Sequence, residues 1–229
     1  MISDNIHHIK QQIQKAAKQV NRNASDIKLV AVSKRFPIEA IQEACHAGHF
    51  LFGENYIQEL IHKRPAVPMN ASFHFIGNLQ SNKARHAAEL CDMVETVDRE
   101  KLGKELNKHC ITLNKTLDIL VQVNIGNEPQ KSGVERREAG SLIQHLNQLD
   151  NLRVCGLMTI PPATDTPEES RAFFRELRTL SEDFMAKGLF PKIARPELSM
   201  GMSSDFHIAI EEGATIIRVG TALFGQRGT

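Results

Sequence analysis

The sequence lacks any apolar run long enough to cross a membrane. Its longest predominantly apolar stretches, residues 27–32 and 119–123, fall far short of the roughly 20 residues that a membrane-spanning helix needs. The N-terminal segment MISDNIHHIKQQIQ also lacks the continuous apolar core of a secretory signal. We therefore expect a cytoplasmic protein with no membrane partner.

An excess of one charge and a metal-binding cysteine pattern are also absent. The 28 Lys and Arg against 27 Asp and Glu leave a net charge of +1, which disfavours a surface that coats nucleic acid. No C-x-x-C pair occurs, and His46 and His49 have no second cluster of ligands, so we expect neither a metal site nor a disulfide framework. Four cysteines are predicted to be reduced and mostly buried: Cys45, Cys91, Cys110 and Cys155.

Hydrophobic periodicity predicts a regular alternation of strands and helices. Residues 4–20 carry one apolar stripe at three- and four-residue intervals, which indicates a leading helix. Short apolar strands, each followed by an amphipathic pattern except the last, are predicted at residues 27–33, 50–52, 73–76, 93–96, 117–124, 152–158, 197–200 and 215–219. This count predicts an α/β fold, a single (β/α)8 TIM barrel with an extra N-terminal helix, as one domain over residues 1–229. An open doubly wound sheet is the alternative, because periodicity does not show closure.

A lysine stands directly after the first predicted strand. A barrel builds its site at the carboxyl ends of its strands, and Lys34 follows the apolar segment LVAVS. Burial there would lower the pKa of the amine and make it a usable nucleophile toward a carbonyl group. The alternative is an ordinary lysine whose head group extends into solvent.

The loops after the last two strands, SMGMSSDF and RVGTALFG, are rich in small residues. Ser203 or Ser204 could cap a helix starting at Asp205, and small residues leave backbone N–H groups open to an anion. Ordinary turn chemistry needs the same residues, so the phosphate interpretation has an equal competitor. Neither G-x-G-x-x-G nor a Walker lysine loop occurs, which gives no support to nucleotide binding by those modes.

Arg218 lies within the apolar strand TIIRVG, so its charge needs a buried partner or a ligand. A salt bridge inside the barrel is the alternative. One ligand would satisfy Lys34, the small loops and Arg218 together. Pyridoxal 5′-phosphate (PLP) offers an aldehyde, a phosphate and a ring nitrogen.

Six strings of the sequence are similar to those of a known family. AVSK, FGENYIQE, HFIGNLQSNK, GLMTIPP, SMGMSSDFHIAI and RVGTALFG occur in order over nearly the whole chain and resemble the YggS/PROSC family of PLP homeostasis proteins. The resemblance implies a barrel like the N-terminal barrel of alanine racemase, with PLP held as a Schiff base on Lys34. It also implies that Arg218 faces the pyridine nitrogen and that Asn55 and His74 lie near the ring. Further cofactor contacts are expected at Met158 and in a phosphate cradle of Ser199, Met200, Gly201, Ser203, Gly220 and Thr221.

The resemblance implies a role in keeping PLP and amino and keto acid pools in balance, without established turnover. An arginine opposes protonation of the ring nitrogen and so disfavours transamination-type chemistry. Racemisation needs two bases, and the only tyrosine, Tyr56, is better explained as an aromatic at a helix start. We therefore expect a monomeric, non-catalytic carrier that hands PLP to apo-enzymes. The alternatives are a fold-type III amino-acid racemase of weak or narrow activity and an adaptor whose cofactor is structural.

Overall fold

Eight short strands close into a parallel barrel in the computed structural model, which describes residues 1–226. They are β1 Lys28–Val32, β2 Leu51–Glu54, β3 Ser72–Phe75, β4 Met93–Val97, β5 Leu117–Asn124, β7 Leu152–Met158, β8 Glu197–Ser199 and β9 Ile216–Val219. Each pairs in parallel with the next, β4 pairs with β5, and β9 returns to pair with β1. The ring is therefore closed, which confirms the predicted barrel and excludes the open sheet. Residues 227–229 of the predicted domain lie outside the described residues.

Helices surround the barrel in the order expected for βα units. They are α1 Ile2–Gln19, α2 Ile38–His46, α3 Ile57–Lys63, α4 Ala84–Leu90, α5 Glu100–Thr112, α6 Arg136–Leu146, α7 Ser170–Ala186, α8 Phe206–Glu211 and α9 Thr221–Phe224. Single 3-10 turns occur at Ala24–Asp26, Arg64–Ala66, Ser81–Lys83 and Pro167–Glu169. The added N-terminal helix α1 buries its apolar stripe and contacts α2, α8 and α9, as the periodicity predicts.

Two short elements were not expected from the periodicity. The two-residue strand β6, Val134–Glu135, pairs in parallel with the end of β5 inside a segment predicted as helix. The four-residue helix α9 follows β9 directly. Both are too short for a periodic signal and depend on contacts with neighbouring segments.

The interior of the barrel has an apolar layer with a polar layer next to it. The apolar layer is one packed cluster of Val30, Met93, Leu120, Cys155, Met158 and Ile216. Side chains two residues apart on a strand share a face, so Glu95 follows Met93 and Arg218 follows Ile216 toward the carboxyl ends. In β4 and β9 the alternation thus places a charged group in the layer nearer the carboxyl ends of the strands.

Two further sequence predictions concern cysteines and membranes. The four cysteines are all free and buried, as predicted. Among the helices of residues 1–226, none combines the length and the apolar character that crossing a bilayer requires.

Candidate functional site

A cavity of about 300 Å³ opens at the carboxyl ends of the strands. This volume is at the lower end of the range of small-ligand pockets, roughly 300–1,000 Å³. Its lining residues are Val32, Lys34, Asn55, Ile76, Ile160, Met202, Ser203, Ser204, Arg218, Gly220 and Thr221. The predicted residues among them are Lys34, Asn55, Ser203, Arg218, Gly220 and Thr221. Residues far apart in the chain therefore meet at one site.

Larger cavities lie elsewhere on the surface. One of these, of about 860 Å³, is lined by residues of α6, α7 and the loop after β5. Its Arg136 pairs with Glu176 at 2.7 Å, and its Lys187 pairs with Asp183 at 2.7 Å. Its charges thus neutralise one another locally, whereas the smaller cavity brings together an amine, a guanidinium group and hydroxyl groups. We therefore assign the candidate site to the smaller cavity.

Lys34 is half-buried and follows β1 in a tight turn. Ser33 N donates to Gly53 O at 3.0 Å, which continues the pairing of β1 with β2 as far as the residue before Lys34. Phe36 N donates to Ser33 O at 3.1 Å and closes the turn around Lys34. The lysine therefore leaves the strand from a fixed backbone and lines the cavity.

Arg218 has both an internal partner and a place on the cavity wall. Its side chain is only 3% exposed. Its Nη1 donates to Ser199 Oγ at 2.6 Å, and its Nη2 donates to the Thr159 carbonyl at 2.8 Å. Burial lowers the pKa of Arg218, and the Glu95 carboxylate opposes that shift. The guanidinium group is thus held in one orientation as a donor at the base of the site.

Glu95 links these groups and was not found by sequence reasoning. Its buried carboxylate accepts from His74 Nδ1 at 2.6 Å and from Ser199 Oγ at 2.5 Å. Burial acts to raise the pKa of Glu95, but His74, Arg218 and Ser199 together hold it below its ordinary value. The available signal was an acidic residue in the apolar strand MVETV, two positions after Met93. We call Glu95, His74, Ser199 and Arg218 the interior network.

Several predicted cofactor contacts lie behind the cavity wall. His74 and Ser199 belong to the interior network, and Met158 is fully buried in the apolar layer. Met200 N donates to Ile216 O at 3.1 Å as part of the sheet. Gly201 has φ +89°, and a Cβ atom there would lie 2.5 Å from Ala209 Cβ. These positions support the wall, and as cofactor contacts they stay predictions.

A hydrogen bond to a serine hydroxyl group connects the loops after β8 and β9. Ser203 Oγ accepts from Gly220 N at 3.3 Å. Helix α8 begins at Phe206, with Asp205 at its N-cap position and no capping side chain. The prediction that Ser203 or Ser204 caps this helix is therefore wrong. The Asp205 carboxylate instead accepts from Met202 N at 2.6 Å and closes the preceding loop.

Asn55 lines the cavity and carries a buried acceptor. Within residues 1–226, its Oδ1 atom is buried without a hydrogen-bond partner. A buried acceptor without a donor is costly, so this atom is suited to a donor supplied by a ligand. Tyr56 next to it is 43% exposed, does not line the cavity and lies 5.9 Å from the guanidinium group of Arg35.

Taken together, these groups fit a small anionic carbonyl compound. Lys34 supplies an amine, and Arg218 supplies a fixed donor. Val32, Ile76 and Ile160 supply apolar surface for a ring. The hydroxyl groups and small residues at Ser203, Ser204, Gly220 and Thr221 leave polar space for an anion.

Comparisons with known proteins agree with this geometry. The family model "Alanine racemase, N-terminal domain" matches residues 5–228. An alanine racemase of Clostridium difficile 630 has the same fold, with a TM-score of 0.75 at 16% identity over 99% of this chain and 58% of that chain. The fold is thus that of the alanine racemase N-terminal barrel.

Nearer relatives cover almost the full chain. A pyridoxal phosphate homeostasis protein of Haemophilus influenzae is 42% identical over 99% of this chain and 96% of its own length. The pyridoxal phosphate homeostasis protein of Escherichia coli K12 is 39% identical over 99% of this chain and 97% of its own length. PipY of Synechococcus elongatus PCC7942, solved with PLP bound, has a TM-score of 0.86 at 35% identity over 98% of this chain and all of that chain. This chain belongs to the pyridoxal phosphate homeostasis protein family.

Proposed function

We propose that this chain binds PLP in the cavity at Lys34 and acts as a carrier in PLP (vitamin B6) homeostasis, with effects on the balance of amino and keto acids. The observation that carries the proposal is the convergence of Lys34, Asn55 and Arg218 on one cavity. The relatives named above support it, because PipY was solved with PLP bound.

Each part of PLP has a suitable group in the cavity. The cofactor supplies an aldehyde, and the Lys34 amine is the group that we propose to hold it as a Schiff base. We assign Arg218 to the ring nitrogen and Asn55 to the ring substituents. The phosphate is assigned to Ser203, Gly220 and Thr221, with Ser199, Met200 and Gly201 behind them.

The site suits storage better than turnover. Arginine is always charged and only donates, so Arg218 opposes protonation of the ring nitrogen, on which carbanion chemistry depends. The contacts of Glu95 with Ser199, and of Ser199 with Arg218, hold the guanidinium group in that role. Tyr56 lies outside the cavity lining and is poorly placed as a second base for racemisation. We therefore propose a non-catalytic, monomeric carrier that passes PLP to apo-enzymes.

The four cysteines are free thiols, as expected in a reducing compartment. Burial raises the pKa of the Cys91 and Cys110 thiols, and it raises that of Cys155 to about 11. Such thiols are inert and need no partner. We propose the cytoplasm as the compartment.

Retention of PLP through gel filtration tests the proposal. The protein would be incubated with PLP, passed over the column and assayed for bound cofactor. Lys34→Ala is the test variant. Lys83→Ala is a matched control, because Lys83 is a half-buried lysine that lines a second cavity, one that also contacts Asn55. We expect the wild type and Lys83→Ala to retain PLP and Lys34→Ala to lose it. Equal retention by Lys34→Ala would contradict the assignment.

Three further assays separate the competing functions. A carrier should activate an apo-enzyme when its loaded form is added, with no D-amino acid formed from an L-amino acid. Formation of D-amino acid that Lys34→Ala abolishes would favour the racemase instead. Partner binding that is unchanged in Lys34→Ala would favour an adaptor with a structural cofactor.

A further inference from the structure

The peptide groups on both sides of Lys34 are held by side chains from neighbouring elements. Lys63 Nζ donates to the Ser33 carbonyl at 2.8 Å. Glu59 Oε2 accepts from Arg35 N at 2.7 Å. Lys34 lies between these two hydrogen bonds, so its backbone is fixed from outside the strand.

Lys63 and the half-buried Glu59 form one cluster with Glu54. Lys63 Nζ donates to Glu59 Oε2 at 2.7 Å and to Glu54 Oε1 at 2.8 Å. Ser33 Oγ also donates to Glu54 Oε1, at 2.7 Å. Glu54 is fully buried and Lys63 is 6% exposed. We call Glu54, Glu59 and Lys63 the clamp.

The turn held by the clamp contains a strained residue. Arg35 has φ +61°, a left-handed conformation that side chains other than glycine adopt rarely. Such a conformation persists when its surroundings over-determine it. Here the Arg35 N–H is bonded to Glu59, and its guanidinium group lies 5.9 Å from the Tyr56 ring.

The presence of such an ion cluster is weak evidence that the cluster serves to stabilise the fold. Removing charges from water is costly, and apolar residues of similar volume often stabilise a protein as well or better. The clamp lies directly against the turn of Lys34 and bonds to both of its flanking peptide groups. Its location therefore points to a role at the lysine.

We propose that Glu59 and Lys63, supported by Glu54, are positioning residues that set the direction of the Lys34 side chain toward the cavity. This inference rests on the proposed function at Lys34. In the attachment step the neutral Lys34 amine adds to the aldehyde carbon of PLP. A C=N bond forms, and the aldehyde oxygen leaves as water with the two amine hydrogens. Its rate depends on alignment, since a misplacement of about 1 Å can cost about 100-fold.

The main test removes the acceptor for Arg35 N. In Glu59→Ala we expect amide exchange at Arg35 to rise at least about 10-fold and borohydride-trapped attachment of PLP at Lys34 to slow by about 10-fold or more. Glu59→Gln keeps a carbonyl acceptor and should attach PLP faster than Glu59→Ala. His62→Ala, an exposed position on the same helix, should behave as the wild type.

Substitution of Arg35 distinguishes positioning from general stability. Glycine adopts φ +61° without steric cost, so Arg35→Gly should recover part of the attachment rate in the Glu59→Ala background. Recovery of the attachment rate without a matching rise in the free energy of unfolding would show that Glu59→Ala had disturbed positioning and not stability alone. Arg35→Val strains the turn from an exposed position and leaves the three clamp residues unchanged, and it should slow attachment even if Glu59→Ala fails to fold.

Two results would overturn the proposal. One is attachment at the wild-type rate in Glu59→Ala despite faster exchange at Arg35. The other is attachment at the wild-type rate in Arg35→Val.

A reagent other than PLP separates this proposal from the proposed function. Acetic anhydride acetylates lysine amines, and the extent of acetylation at Lys34 is compared with that at Lys83 in the same sample. If the wild type fails to attach PLP, the proposed function falls. A changed Lys34 to Lys83 labelling ratio in Glu59→Ala then supports the positioning role, and an unchanged ratio overturns it.

Discussion

Replacing Glu95 by glutamine should destabilise the protein by about 3–5 kcal/mol at neutral pH. The Glu95 carboxylate accepts hydrogen bonds from His74 and Ser199, and Ser199 in turn accepts from Arg218. A hydrogen bond to a charged group contributes about 1.5–3 kcal/mol, and both would be weakened. The glutamine NH2 group would face one of the two donors, His74 Nδ1 or Ser199 Oγ, and could not accept its hydrogen bond. Arg218 would also lose its nearest buried negative charge. Removal of one partner from a buried ionic network typically costs about 3–5 kcal/mol.

The loss of stability in Glu95→Gln should become smaller as the pH falls. The pKa of Glu95 in the folded protein lies below its ordinary value of 4.5, because its contacts outweigh the effect of burial. The stabilisation is therefore complete above about pH 4.5 and is lost as pH falls and the folded carboxylate takes up its proton. The difference between wild type and Glu95→Gln should be largest at pH 7 and shrink on acidification.

Urea unfolding followed by circular dichroism at pH 7 and near pH 4 measures both effects. Glu182→Gln is the control, because this carboxylate pairs with Arg178 at 3.7 Å on the exposed surface of α7. Such surface pairs contribute about 0–1 kcal/mol. A loss below about 1 kcal/mol for Glu95→Gln, or a loss independent of pH, would refute the reasoning about the interior network.

Three further predictions concern packing, phosphate and thiols. Gly201→Ala should destabilise the protein by about 2 kcal/mol in the same assay, because φ is +89° and the new Cβ would lie 2.5 Å from Ala209 Cβ. Gly140→Ala, in α6 with its nearest atom at 3.4 Å, should be neutral or stabilising. Ser203→Ala should weaken PLP retention by about 10-fold in equilibrium dialysis, since it loses one hydroxyl group at the proposed phosphate site. A thiol reagent should label the native protein at least about 100-fold more slowly than the urea-unfolded chain, because burial raises the pKa of Cys45, Cys91, Cys110 and Cys155.

The fold was predictable because its signals repeat along the chain. Each βα unit has an apolar strand followed by an amphipathic helix, and the stripe of α1 precedes them. Closure follows from pairing between β9 and β1, which no local pattern reveals. Strand β6 escaped prediction because it exists only by pairing with the end of β5.

The site was partly predictable for a different reason. Polar residues within or just after apolar strands were recognisable, and Lys34, Asn55 and Arg218 do line one cavity. Glu95 offered the same signal as Arg218, a charge within an apolar strand, but its strand alone does not reveal that His74 and Ser199 meet it in the interior. The pair of Glu59 and Lys63 has the i, i+4 spacing of an ordinary surface ion pair. Only the packing of α3 against the turn after β1 buries Lys63 and leaves Glu59 half-buried.

The most direct test of the account is the position of the bond to PLP. The loaded protein would be reduced with borohydride, which converts an imine to a stable secondary amine, and its peptides would be mapped by mass spectrometry. The account predicts the label on the peptide containing Lys34, and a loss of the label in Lys34→Ala but not in Lys83→Ala. A label on another lysine, or no label on a protein that still binds PLP, would contradict the central claim.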